Sequence, residues 1–321
     1  MKTALKIILA TIVIIVSGVA VFILVLYHLN NEVGINTEFE NSTFLSQKPP
    51  VLRETLTVKI VTFNIQDLWV VGANRPQRMK HIARVLTDLD PDIVGFQESF
   101  IEQDRSVLLN ALKSSRLHHH QYYSSGVGGS GLLICSAWPI REVFFHRFSG
   151  SGPAHRIWEG DYWAGKGVAL ARIETPAGIL DFYNTHAQAG YGRAAYLEVR
   201  CSQMRELAAF MNASRTGVSP AFLVGDMNCS IGKADYETVV NDAGLRRMMV
   251  QDSRIDHIFA ANSGHYNFET LETVSIDEKV DEAGKTFWLS DHTGYMSSIK
   301  ISPVAGTVTI ATGADANASV H

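Results

Sequence analysis

Residues 221–228 read Ala-Phe-Leu-Val-Gly-Asp-Met-Asn. Four apolar residues form a short buried strand, and the run stops on a glycine, an acid and an amide. The same cadence recurs along the chain. Phe63 is followed by Asn64, Val94-Gly95-Phe96 by Gln97-Glu98, and Phe182-Tyr183 by Asn184-Thr185-His186. Arg254-Ile255 leads to Asp256-His257, and Trp288-Leu289-Ser290 to Asp291-His292. A single Asn or Asp after a strand is ordinarily a turn residue, and a single His is more often structural. Six such endings together are hard to assign to turns alone. Strands of one layered domain often end on a common edge, which would gather these groups into one cleft.

The stretches between the strands carry helical spacing. Met79, Ile82, Val85, Leu86 and Leu89 mark a helix from Gln77 to Leu89, stopped by Asp90-Pro91-Asp92. Val107, Leu108, Ala111 and Leu112 mark a second, and Arg193 to Met211 a longer one. Further strands are expected at Leu132–Ser136, Val168–Ile173, Ile179–Asn184 and Tyr295–Ile301. The alternation predicts an α/β layered domain over residues 56–302.

Residue types limit the chemistry. Glu98 lies among apolar residues, where a charge needs a partner or a metal. With Asn64 and Asp291 it offers hard oxygen ligands and no thiolate set, which favours Mg²⁺ or Mn²⁺ over structural zinc. Asp226, Asn228, His186 and His292 add acceptors, donors and a base that titrates near neutral pH. The set suits in-line hydrolysis of a phosphate ester.

Of the 321 residues, 46% are hydrophobic and 19% charged, enough apolar material for a packed core. Three cysteines, Cys135, Cys201 and Cys229, rule out a disulfide scaffold but leave one bridge open. Net charge is −4. Without Lys2 and Lys6 the rest has 26 bases against 32 acids, an overall balance unlike that of a duplex-DNA binder.

Ile7 to Leu26 contains no charge. Twenty residues at 1.5 Å each span about 30 Å, the thickness of a bilayer core. Gly18-Val19-Ala20 would pass as a cleavage site, but the apolar run continues six residues beyond it, so an uncleaved anchor is expected. Lys2 and Lys6 precede it and Glu32, Glu38 and Glu40 follow. The positive-inside rule then keeps residues 1–6 cytoplasmic and puts the rest at a cell surface, in a periplasm or in an organelle lumen. Residues 27–55 read as a polar tether and 303–321 as a loose tail.

The series Thr62-Phe63-Asn64, Gln97-Glu98, Asn184-Thr185-His186, Gly225-Asp226-Met227-Asn228, Asp256-His257 and Ser290-Asp291-His292 resembles the endonuclease/exonuclease/phosphatase superfamily. Each motif is weak alone and the ordered set is strong. Within that superfamily the chain looks most like the neutral sphingomyelinases, on Gly129-Ser130-Gly131-Leu132-Leu133, Ser136-Ala137-Trp138-Pro139-Ile140 and Gly160-Asp161-Tyr162-Trp163-Ala164-Gly165-Lys166-Gly167.

The resemblance implies a DNase I-like four-layer sandwich, two mixed β-sheets flanked by helices. It implies Mg²⁺ on Glu98 with help from Asn64 and Asp291. It implies His292 as base, oriented by Asp256, with Asp226 sharing or taking that role. Asn228 and His186 would hold phosphate oxygens, and Lys166 would meet the substrate phosphate or pair with Asp161. The expected reaction is phospholipase C-type cleavage of sphingomyelin to ceramide and phosphocholine.

Trp158, Tyr162 and Trp163 fit either core packing or a rim that seats a choline headgroup. Gly160–Lys166 nearly spells a phosphate-binding loop, but Gly167 stands where Mg²⁺ coordination needs Ser or Thr. Three rival functions remain open at this level. One is a membrane-tethered extracellular nuclease, one a phosphoesterase for phosphoinositides or lysophospholipids, and one a binding module with a silent site. The expected partners are a phospholipid substrate and the bilayer, with no nucleic acid or protein partner.

Overall fold

The structure, a computed structural model, describes residues 2–282 and 284–304. A first run contains helix α1 (Lys2–Asn30), a short α2 (Thr43–Ser46), β1 (Leu56–Asp67), α3 (Arg75–Leu89), β2 (Ile93–Ser99) and α4 (Glu102–Ala111). Then come β3 (His119–Tyr123), β4 (Leu132–Ser136), β5 (Ile140–Arg147), β6 (Gly167–Thr175), β7 (Gly178–His186), α5 (Ala195–Ser214) and β8 (Ala221–Asp226). The chain ends with α6 (Ala234–Ala243), β9 (Leu245–Arg247), β10 (Asp256–Ala261), β11 (Tyr266–Ile276), a hairpin of β12 (Lys279–Glu282) and β13 (Lys285–Trp288), and β14 (Gly294–Pro303).

Two six-stranded sheets result, ordered β11-β14-β1-β2-β4-β3 and β5-β6-β7-β8-β10-β9. Each has one parallel pair near its centre, β1/β2 and β7/β8, with the remaining neighbours antiparallel. A parallel pair needs a crossover, and α3 and α5 supply them. Three apolar clusters fill the three interfaces of the resulting four layers. Period-two alternation divides each central strand between them. In β1, Val58 and Ile60 face the other sheet, whereas Val61, Phe63 and Ile65 pack on the α3 side. In β8, Phe222 and Val224 face inward and Leu223 joins the α5 side. Burial on both faces is why these strands read as unbroken apolar runs.

The arrangement sets a common edge. The carboxyl ends of β1, β2, β7 and β8 and the amino ends of their antiparallel neighbours β10 and β14 lie together, as the pairings Asp256 with Asp226 and His186 with Asp226 show. Ligands bind outside the carboxyl ends of such strands. A polar tie locks the sheets to each other beneath this edge. Gln97 Nε2 donates to Asn184 Oδ1 at 2.7 Å, and Asn184 Nδ2 donates to the Phe96 carbonyl at 2.9 Å.

Several strands begin or end beyond the expected limits, and β5, β11, the β12–β13 hairpin and α6 had no clear sequence signal. Residues 31–55, expected as a tether, are laid along the domain. Leu52 enters the inter-sheet core, Val33 bridges to Ser125, and the Asn36 carbonyl accepts from the Phe145 N–H at 2.9 Å, covering β5. The expected loose tail lies, from residue 305, outside the described residues. Helix α1 extends past the expected span at both ends, and its stretch Lys6–Asn30 is long and apolar enough to be a membrane span or a signal sequence.

At Gly95 the two sheets approach closely. A Cβ there would stand 2.5 Å from Val224 Cγ2 and 3.0 Å from Asn184 Cγ. Overpacking of this kind costs roughly 1–3 kcal/mol. Gly95→Val is expected to lower the melting temperature of the folded chain; an unchanged thermal transition would show that the sheets separate freely here.

Candidate active site

The common edge carries a cleft of about 670 Å³. Asn64 stands near the end of β1, Glu98 near the end of β2, His186 and Asp226 at the last residues of β7 and β8. Asp256 opens β10, and His292 lies two residues before β14. Glu98, His186, Asp226, Asn228, Lys166 and His292 line the cleft, with Trp163 on one wall.

Two groups of candidate ligands share Asp226. Glu98, His186 and Asp226 offer one atom each, all within 4.8 Å of one another, and so do Asp226, Asp256 and His292. The carboxylates are braced. Asn64 Nδ2 donates to Glu98 Oε1 and to Asp226 Oδ2, both at 3.0 Å. His292 links Asp226 to the third carboxylate, with Nδ1 3.0 Å from Asp256 Oδ2 and Nε2 3.7 Å from Asp226 Oδ2. Glu98 and Asn228 hold φ of 56° and 51°, left-handed conformations that non-glycine residues keep only when the surroundings impose them.

Burial governs the electrostatics. It raises the Glu98 carboxyl above its ordinary range, against the hydrogen bond from Asn64 and the charge of Lys166. Burial and then the charge of Asp256 push Asp226 up to about 6. His292 runs the other way. Burial alone would lower it, but the Asp256 hydrogen bond and the nearby carboxylates together carry it to about 10. His186 is driven well below its ordinary value by burial and by the charges of Lys166 and His292.

Lys166 is buried and salt-bridged to Asp161, with Nζ 3.0 Å from His186 Nε2 and 2.8 Å from the Ala187 carbonyl. An ammonium only donates, so His186 accepts at Nε2 and carries its proton on Nδ1, which has no partner. The side chain facing the cleft as a fixed cation is therefore Lys166, supported from below by neutral His186. Asp161 also accepts from Gln188 Nε2 and the Ala189 N–H, so the Gly160–Lys166 stretch is bound to the end of β7. It leads into strand β6 and no helix, unlike a phosphate-binding loop.

Three of the expected site residues are placed apart from the cleft-lining set or act on its acids. Asp291 is exposed and belongs to neither carboxylate–histidine group, because the chain turns between it and His292 and only one of the two faces the cleft. Tyr162 does not line the cleft; it lies by Tyr27 and Arg147 on the far side of its loop, while Trp163 takes the cleft wall. Asn64 presents its amide nitrogen to the carboxylates and so braces Glu98 and Asp226. The thiols Cys135, Cys201 and Cys229 are all free. Trp69, Phe100 and Tyr191 also line the cleft and were not singled out by sequence. The one available signal was the uncharged run Leu68–Gly72 between a strand and a helix.

A family model described as the endonuclease/exonuclease/phosphatase family matches residues 61–292. The chain belongs to that family. It is similar to a candidate neutral sphingomyelinase of Drosophila melanogaster, 31% identical over 273 residues, which are 77% of this chain and 61% of that protein. It is also 31% identical over 219 residues to an inositol phosphosphingolipids phospholipase C of Schizosaccharomyces pombe, 66% of this chain and 49% of that protein. The chain thus spans about half to three-fifths of the length of these curated relatives.

Two solved structures share the fold. Sphingomyelinase C of Streptomyces griseocarneus superposes with a TM-score of 0.60 at 20% identity, over 76% of this chain and 99% of that one. A Staphylococcus aureus beta toxin variant with bound magnesium ions does so with a TM-score of 0.60 at 18% identity, over 76% and 99%.

The His292–Asp256 pair makes a pH prediction. A histidine raised from roughly 6.5 when unfolded to about 10 when folded contributes stability that is fully present below the lower value and lost as pH rises through the upper one. In chelator, histidine-ring NMR is expected to show one imidazole titrating far above the others, returning toward ordinary values in Asp256→Asn. An unchanged titration in that variant would remove Asp256 as the cause.

Proposed function

We propose that this chain is a metal-dependent phosphodiesterase of phospholipase C type, and that its substrate is sphingomyelin, cleaved to ceramide and phosphocholine. The observation that carries the reading is the meeting of Glu98, Asp226, Asp256 and His292 beside the fixed cation Lys166 at one sheet edge, inside an open cleft. The sphingolipid substrate follows from what the curated relatives are named for.

The donor set fits Mg²⁺. Glu98 and Asp226 supply hard oxygens, their burial favours a cation, and a Mg²⁺ site built from one or two carboxylates keeps the remaining positions for water and phosphate. When bound, the ion polarises a phosphoryl oxygen and offsets the charge that develops on it. The side chains do the rest. The proton of the attacking water passes to the coupled Asp226–His292–Asp256 group, whose titration belongs to the set and to no one member. Lys166 and Asn228 meet the non-bridging oxygens. The new P–O bond forms opposite the bond to the lipid alkoxide, which breaks, and the alkoxide takes up a proton from solvent water while the coupled group returns its own to solvent. Trp163 offers the choline group an aromatic face.

The N-terminal helix is proposed to be retained as an anchor over residues 7–26, with 1–6 cytoplasmic, 27–55 a docked connection, 56–302 the catalytic unit on the far side of the membrane and 303–321 a tail.

Phosphocholine release from sphingomyelin vesicles by the full chain, with Mg²⁺ and with chelator, tests the reaction. His292→Ala is expected to lower kcat roughly 10²–10⁴-fold, the range of a lost acid–base group, and chelator to abolish turnover reversibly. Nucleotide release from DNA with no phosphocholine would overturn the lipid substrate in favour of a nuclease. Phosphoinositol release from an inositol phosphosphingolipid would change only the headgroup.

A further inference from the structure

The exposed apolar side chains are unevenly placed. Outside α1, twelve large hydrophobic side chains are exposed among the described residues, and seven of them lie in, or within two residues of, segments that line the cleft. The most prominent are Trp69, Val70 and Val71, 69%, 94% and 62% exposed. They form a finger between β1 and α3, with Leu68 and Trp69 on the cleft wall. Ile157 and Trp158, 68% and 74% exposed, stand beside the lining residue Glu159.

The finger is held in shape. Gly72 N–H donates to the Leu68 carbonyl at 3.2 Å, and Arg75 Nη1 donates to the carbonyls of Leu68, Trp69 and Gly72 at 3.1–3.3 Å. Arg75 Nε is fixed on Asp104 at 2.8 Å, and its guanidinium lies 5.6 Å from the Trp69 ring centroid. A turn so anchored presents three apolar side chains to the outside, with the carbonyls of Leu68, Trp69 and Gly72 each accepting a hydrogen bond from within the domain.

The exit of α1 points to what covers it. Asn30, the last residue of the helix, is fully buried in the domain. Its Nδ2 donates to the Tyr162 carbonyl at 2.9 Å, its Oδ1 accepts from the Val127 N–H at 3.1 Å, and its carbonyl accepts from Arg147. Val127 lines the cleft. The apolar helix therefore ends one hydrogen bond from the cleft wall, with no flexible spacer between them. We infer that the cleft mouth faces the bilayer that α1 enters, and that the Trp69–Val71 finger inserts into it to seat the domain over a membrane-embedded substrate. The inference rests on reading α1 as a retained anchor.

The test uses the full chain in sphingomyelin-containing nanodiscs. An environment-sensitive fluorophore is placed at Val70→Cys, or at the exposed apolar control Leu271→Cys on β11, each in a Cys201→Ser background, since Cys135 and Cys229 are buried. Spin-labelled phospholipid is expected to quench the probe at 70 at least twofold more than the probe at 271. Equal quenching, or none at 70, would overturn the inference. In parallel, Val70→Asp is expected to slow phosphocholine release from bilayer sphingomyelin at least tenfold while leaving hydrolysis of a water-soluble phosphodiester within twofold. Equal loss on both substrates, or loss on neither, would also overturn it. Quenching is read without turnover, so a wild-type chain inactive on every ester would refute the proposed reaction separately from the docking.

Discussion

Everything at the working edge of this molecule follows from one electrostatic constraint: three carboxylates, Glu98, Asp226 and Asp256, are taken out of water within reach of one another. Buried like charges repel strongly in a low-dielectric site. The fold tolerates them because each has a named brace. Asn64 bonds Glu98 and Asp226, His292 lies between Asp226 and Asp256, and Lys166 brings a cation held by Asp161. Left-handed backbone at Glu98 and Asn228 is the local strain that this convergence imposes. A scaffold without this site would have no reason to carry so much charge at a buried strand edge.

The two sheets exist to bring those groups together. Each has a central parallel pair, and only a parallel pair sends two carboxyl ends to the same edge. The antiparallel neighbours β10 and β14 then start where the parallel strands stop, which is why Asp256 and His292 arrive from the opposite chain direction. The Gln97–Asn184 tie and the bare Cα of Gly95 fix the sheets' separation directly beneath the site.

The central strands were legible because they are buried on both faces and therefore read as apolar runs that stop on polar residues. Glu98, Asp226, Asp256, His186 and His292 stand where those stops predicted a common edge. Strand β11 was not legible: with one face open to water, Tyr-Asn-Phe-Glu-Thr-Leu-Glu-Thr-Val carries charge and hydroxyls throughout. Asp291 and Tyr162 stand outside the cleft lining for a local reason. Each is adjacent to a residue that does face the cleft, and neighbours in extended or turning backbone point apart. Within the expected tether, 27–55, composition reports polarity and not docking; one buried Leu52 and a few backbone hydrogen bonds suffice to lay residues 31–55 on the domain.

The chemistry of this edge depends on whether the braced carboxylates hold a divalent cation. Electron paramagnetic resonance of Mn²⁺ titrated into the full detergent-solubilised chain reads this without any substrate. The expected result is saturable binding that Glu98→Gln weakens at least tenfold while the protein stays folded. Binding indifferent to that substitution, or no saturable binding at all, would contradict it.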